Sequence, residues 1–151
     1  MPIFIGSLAI TSPTIRPLTR IPEQHSADGG NLAPIIALSG APEGTTEFAL
    51  IAHDPDAPLP RGFTHWTVYG IPADTSELDL SIPGVREGPS GLGGRGWTGP
   101  QPPAGHGPHH YYFWVYALGQ RVEGEPSREE FLDRYAGSII EQARLVGTFE
   151  R

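Results

Sequence analysis

Carboxylates and imidazoles crowd into two short stretches of this chain. His53, Asp54, Pro55, Asp56, Ala57 and Pro58 read HDPDAP, and Gly107 to Leu118 reads GPHHYYFWVYAL. An aspartate that accepts a hydrogen bond from a histidine fixes its tautomer and favours its charged form. Such a pair can serve general acid/base chemistry or present a polarised N–H to an anion. The competing reading is structural: Asp next to Pro is ordinary turn chemistry, and an aromatic run after it is a core strand.

Side chains alternate along a strand. This rule puts His109, Tyr111, Phe113 and Val115 on one face, and His110, Tyr112, Trp114 and Tyr116 on the other. In the earlier run HWTVYGI it groups His65, Thr67, Tyr69 and Ile71 against Trp66 and Val68. Asp54 and Asp56 are two apart, so an extended backbone would aim both carboxylates the same way. If His109 belongs to a site, Tyr111 belongs with it and His110 does not. Carboxylates and histidines at strand ends can converge on one pocket, the default place to look for binding or catalysis.

The supporting elements follow from composition. The 151 residues are enough for one domain with a real core, expected over 1–151. Gly 20 and Pro 17 separate short apolar runs, the punctuation of a β-rich domain with long shaped loops. The runs cover 3–10, 31–38, 47–53, 65–71, 110–118 and 145–149. One helix is expected over 127–143, opened by a Ser127–Glu130 capping box with Phe131, Leu132, Tyr135, Ile139 and Ala143 on one stripe. The Gly/Pro-rich stretch 83–108 holds Trp97 and reads as an ordered loop.

Charge and missing residue types exclude several functions. The net charge is −7 and the chain has no Lys, all ten cations being Arg, so nucleic-acid binding and Schiff-base chemistry are not expected. Cys is absent, which removes disulfides and thiolate metal sites. The opening MPIFIGSLAI has no basic flank, and no apolar stretch approaches about 20 residues. The expectation is a cytoplasmic protein without stable membrane insertion. Gly91 to Gly96 spells GLGGRG, but prolines and Trp97 surround it where a dinucleotide site needs a strand and a helix. No G-x-S-x-G is present. His65, His109 and Asp54 could form a two-His-one-carboxylate set, yet no ligand spacing supports it. No metal or cofactor is expected.

Taken together and in this order, the motifs resemble the phosphatidylethanolamine-binding protein family, in its bacterial Raf-kinase-inhibitor-like branch. DGGN at 28–31, DPDAP at 54–58 with HW at 65–66, PPAGHGPHHYYFWVYAL at 102–118 and the final LVGTFER carry the likeness. The chain departs from the family pattern at APIIAL after the early Asn, at Gln101, and at His110, where Arg is usual. The resemblance implies a large central antiparallel sheet flanked by a smaller one, with a helix near the C-terminus. It also implies a small anion pocket comprising Asp54, Asp56, His65, Trp97, Gln101, Pro103, His109 and Tyr111, and a cis Ala57–Pro58 bond. The expected ligand is phosphate or a phosphorylated small molecule, with a regulated or inhibited protein partner and a homodimer as further expectations. The alternatives are an acid/base enzyme (lyase, cyclase or isomerase) using the same histidines and aspartates, and a metal-dependent hydrolase.

Overall fold

The computed structural model of the chain describes residues 6–151. A five-stranded antiparallel sheet runs in the order β5-β4-β3-β6-β7, built from β3 (Glu47–Asp54), β4 (Phe63–Pro72), β5 (Arg86–Glu87), β6 (His109–Leu118) and β7 (Ile139–Phe149). A smaller two-stranded sheet pairs β1 (Ala9–Thr11) with β2 (Ala37–Ser39). The strand expected over 3–10 is seen from Ala9. Residues 1–5, on which the absence of a signal peptide was partly read, lie outside the described residues.

The central strand β3 is buried along its whole length, because both faces of the sheet are covered. Phe48, Leu50 and Ala52 face a core that includes Trp66, Trp97, Tyr111 and Phe113. Ala49 and Ile51 face Tyr69, Tyr116, Phe131 and Tyr135 on the other side. An unbroken apolar run is what a two-sided strand requires.

Helix α1 (Arg128–Tyr135) opens as expected. The Glu130 N–H donates to Ser127 Oγ at 3.2 Å, and the Ser127 N–H donates to Glu130 Oε1 at 2.9 Å. Ser127→Ala should lower stability by about 1 kcal/mol, measurable by thermal unfolding. The helix is shorter than the expected 127–143. It gives way to a 3-10 turn over Ala136–Ser138, and Ile139 starts β7. Gly137 is a poor helix former, and the residues after it pair with all ten positions of β6. Ladder hydrogen bonds to a buried aromatic strand outweigh the helical spacing. Ile139 still reaches the Phe131–Tyr135 cluster, whereas Ala143 packs on the opposite core.

Two bulges in β4 correct the simple alternation. Phe48 pairs with Ile71 but Leu50 with Val68, so Tyr69 and Gly70 share one partner position. Gly70 has φ +73, and a Cβ there would lie 2.2 Å from the Gly84 carbonyl oxygen. The extra residue sends Ile71 to the side of Trp66 and Val68, away from Tyr69. A second irregularity, between Ala52/Trp66 and His53/Thr64, lies at His65.

The outer edge of β7 is laced by the segment 18–21. The N–H groups of Leu18 and Ile21 donate to the carbonyls of Val146 and Thr148, each at 2.7 Å, and the Thr148 N–H donates to Thr19 O at 2.9 Å.

Candidate functional site

A cavity of about 300 Å³ opens where the ends of β3, β4 and β6 meet the loops 57–59 and 98–103. Of the residues singled out in the sequence, Asp54, His65, Gln101, Pro103, His109 and Tyr111 line it. Asp56 and Trp97 do not. Leu59, Phe63 and Leu92 add an apolar wall, and Leu92 is 75% exposed at its rim. None of these three was expected; Leu92 belongs to the GLGGRG loop, whose glycines gave no sign of a cavity wall.

Asp54 and His109 form the buried pair. His109 Nδ1–H donates to Asp54 Oδ2 at 2.6 Å, and both residues are 2% exposed. The other Asp54 oxygen accepts from the Asp56 N–H at 2.7 Å. That contact curls the backbone after β3 and turns Asp56 outward. Asp56 Oδ2 then accepts from both the backbone N–H and Nδ1–H of His110, at 2.8 and 2.7 Å. Burial alone would raise the Asp56 carboxyl, but these bonds outweigh it and hold the group below the ordinary aspartate range. The two aspartates therefore diverge, each with its own histidine, and the expectation that both point one way is corrected. His109 and Tyr111 share the cavity while His110 faces away from it, as alternation along β6 requires.

The turn itself also differs from expectation. Among the described residues every peptide bond is trans. The Leu59 N–H donates to Ala57 O at 2.7 Å across Pro58 and the Gly62 N–H to Leu59 O at 3.0 Å, so the chain reverses without a cis proline.

His65 sits on the bulge, and its ring packs against Tyr111 and Phe63 at centroid distances of 5.1 and 4.7 Å. Both His65 and its neighbour Trp66 reach Trp97, at 6.3 and 5.5 Å. Strict alternation would have parted them. His65 Nδ1–H donates to Thr98 O at 2.5 Å, and the Thr98 N–H returns a bond to His65 O at 2.9 Å. Burial lowers the His65 pKa to about 4. The ring is neutral near pH 7, and its Nε2 is an acceptor. Burial, reinforced by the charges of Asp54 and Asp56, raises the Tyr111 hydroxyl above its ordinary range, so it remains a donor.

Trp97 stands behind the wall and supports it. Its ring stacks on Phe113 at 5.8 Å, and Nε1–H donates to His25 O at 3.0 Å. Asn31 fastens the same loop, donating from Nδ2 to Trp97 O and accepting from the Gly99 N–H at 2.6 Å. A Cβ on Gly99 would fall 2.1 Å from His25 O, so only glycine permits this approach. Gln101 Nε2 donates to Asp28 Oδ1 at 3.0 Å, which ties the rim to a loop across from it.

One contact had no signal in the sequence. His106 Nδ1 lies 2.7 Å from Nε2 of His109, so both nitrogens of His109 are engaged. No Arg lines the cavity. Among the described residues no group of three His, Asp or Glu could hold a metal ion, and no helix is long and apolar enough to cross a membrane.

The molecule is thus a mainly β protein with a buried Asp–His pair at the end of its central sheet. The family model described as phosphatidylethanolamine-binding protein matches residues 11–150, and the chain belongs to that family. A UPF0098 protein of Aquifex aeolicus is 41% identical over 140 residues, covering 87% of this chain and 81% of its own length. A Mycobacterium tuberculosis protein named as a lipoprotein, LppC, is 40% identical over 147 residues, covering 95% and 72%. The crystal structure of Escherichia coli YbcL, a member of the mammalian PEBP family, superposes with a TM-score of 0.89 at 32% identity. That match covers 97% of this chain and 99% of YbcL.

Proposed function

We propose that the cavity binds a small anion, inorganic phosphate or a phosphorylated small molecule, at His109 and Tyr111. The observation that carries this reading is the buried Asp54–His109 pair, which lines the same cavity as Tyr111. Asp54 accepts from Nδ1–H, which fixes the orientation of the His109 ring and leaves Nε2 as the atom that would meet the ligand. Neutral His65 would accept from the hydroxyl of a monoprotonated phosphate. Without an Arg clamp the affinity should be modest and dependent on pH. The apolar wall of Leu59, Phe63 and Leu92 suits a ligand whose other end is uncharged.

Titrating phosphate and phosphoethanolamine near pH 7 tests this. His109→Ala should weaken binding by about ten- to a hundredfold, or 1.5–3 kcal/mol, the range for a hydrogen bond to a charged group. His110→Ala removes only the exposed bond to Asp56 and should leave affinity within about twofold, since exposed pairs contribute little. Equal losses in both variants, or no binding by the parent, would overturn the assignment.

The acid/base alternative draws on the same Asp54–His109 pair. Turnover of the phosphorylated ligand during titration, abolished in His109→Ala, would favour it. Regulation of a protein partner rests on analogy within the family, and a homodimer is the assembly to test by light scattering. A cytoplasmic placement is the sequence-based proposal. The lipoprotein name of the mycobacterial relative points to a membrane-attached alternative, and cell fractionation separates the two.

A further inference from the structure

We propose that His106, which does not itself line the cavity, sets its affinity by taking the hydrogen-bonding position that an anion would take on His109. This deepens the anion-binding reading and rests on it. His109 uses Nδ1 on Asp54, which leaves Nε2 as its one remaining polar atom, and that atom lies 2.7 Å from His106 Nδ1. The rings meet at a centroid distance of 4.9 Å and 60°. At that separation a single proton fits between the two nitrogens. An oxyanion accepting from Nε2–H needs the same place, so His106 and the ligand exclude one another there.

The two histidines differ in how they are held. His109 is 2% exposed and locked in the sheet opposite Phe149. His106 is exposed, in the loop before β6. Its neighbours Gly105 and Gly107 both have positive φ (+75 and +84), and a Cβ at either would meet nothing within 4 Å. The base of the loop is fastened independently of the ring: Arg151 Nε–H donates to Pro102 O at 2.6 Å, and the Gly105 N–H donates to Arg151 O at 3.0 Å. The ring can therefore swing away between two glycines without unseating Pro102 and Pro103, which line the cavity. Binding an oxyanion exchanges one hydrogen bond for another at Nε2, and the lost bond lowers the observed affinity.

Phosphate is titrated calorimetrically into the parent, His106→Ala and His109→Ala proteins at the same pH. His106→Ala should bind about three- to tenfold more tightly, the equivalent of one net hydrogen bond no longer displaced, while His109→Ala binds more weakly than the parent. Equal or weaker binding by His106→Ala, with the parent binding and His109→Ala impaired, overturns the role of His106 and leaves the anion site standing. Binding by none of the three removes both. A second measurement needs no variant: nitrogen NMR should detect the His106–His109 N–H···N bond in the free protein and its loss at saturating phosphate. A bond that is absent in the free protein, or that survives saturation, overturns the proposal.

Discussion

Trp97→Ala is expected to destabilise the protein by about 3–5 kcal/mol, read as a fall in the urea midpoint without a matching change in slope. The side chain fills the space between Phe113, Trp66 and His65, and its removal leaves a void among side chains already held on strands. The Nε1–H bond to His25 O is lost as well, which strands a carbonyl close to the main core. Natural domains have about 5–15 kcal/mol in all, so one substitution would consume much of the reserve. Trp97→Phe should cost much less, because it keeps most of the stacking and loses the hydrogen bond. The loop carrying Thr98 and Gly99 rests on this ring, so the alanine variant should also lose phosphate binding at concentrations of urea the parent tolerates. A change under about 1 kcal/mol would mean that the wall stands without its tryptophan.

The second large effect is acid lability. Burial lowers the pKa of His65 from 6.5 to about 4, and burial together with the charge of Arg128 does the same to His53. Both groups bind protons more readily in the unfolded chain. Their contribution to stability is therefore complete above pH 6.5 and is lost as the pH falls from 6.5 toward 4. For His65 alone the loss amounts to about 3 kcal/mol, at roughly 1.4 kcal/mol per pKa unit. His53, whose Nδ1 is 3.1 Å from Thr64 Oγ1, adds in the same direction. Denaturant midpoints measured at intervals between pH 7 and pH 4 should fall steadily. His53→Gln should flatten part of that fall without changing phosphate affinity at pH 7. A stability constant across this window would show that neither ring is held neutral by the fold.

Much of this site was legible because a few residues obey rules that survive folding. His109 and Tyr111 share a face since β6 is a regular strand, and the motif order that resembles the family placed Asp54 beside them. The failures lie where one extra residue or one local bond changes direction. The bulge at His65 puts it and Trp66 on the same ring, and a period of two has no term for an insertion. Asp56 points outward because the Asp54 carboxylate captures its N–H, an event of the turn rather than of the strand. Ile139 and Ala143 fit a helical stripe, but pairing with β6 decides their fate, and that partner lies far off in sequence. His106, in HGPHH, invites a metal reading from the sequence, and its contact with His109 appears only once the loop before β6 is folded.

The lacing of β7 by residues 18–21 bears on how the protein behaves in a crowd. A β-sheet ends in unsatisfied backbone groups, and another chain can add itself there as a further strand. Here the carbonyls of Val146 and Thr148 and the N–H of Thr148 are already taken from within. At the opposite border β5 is only two residues long, too brief to template anything. At the laced end of β7 no backbone group that the segment 18–21 holds is left for a further strand to pair with.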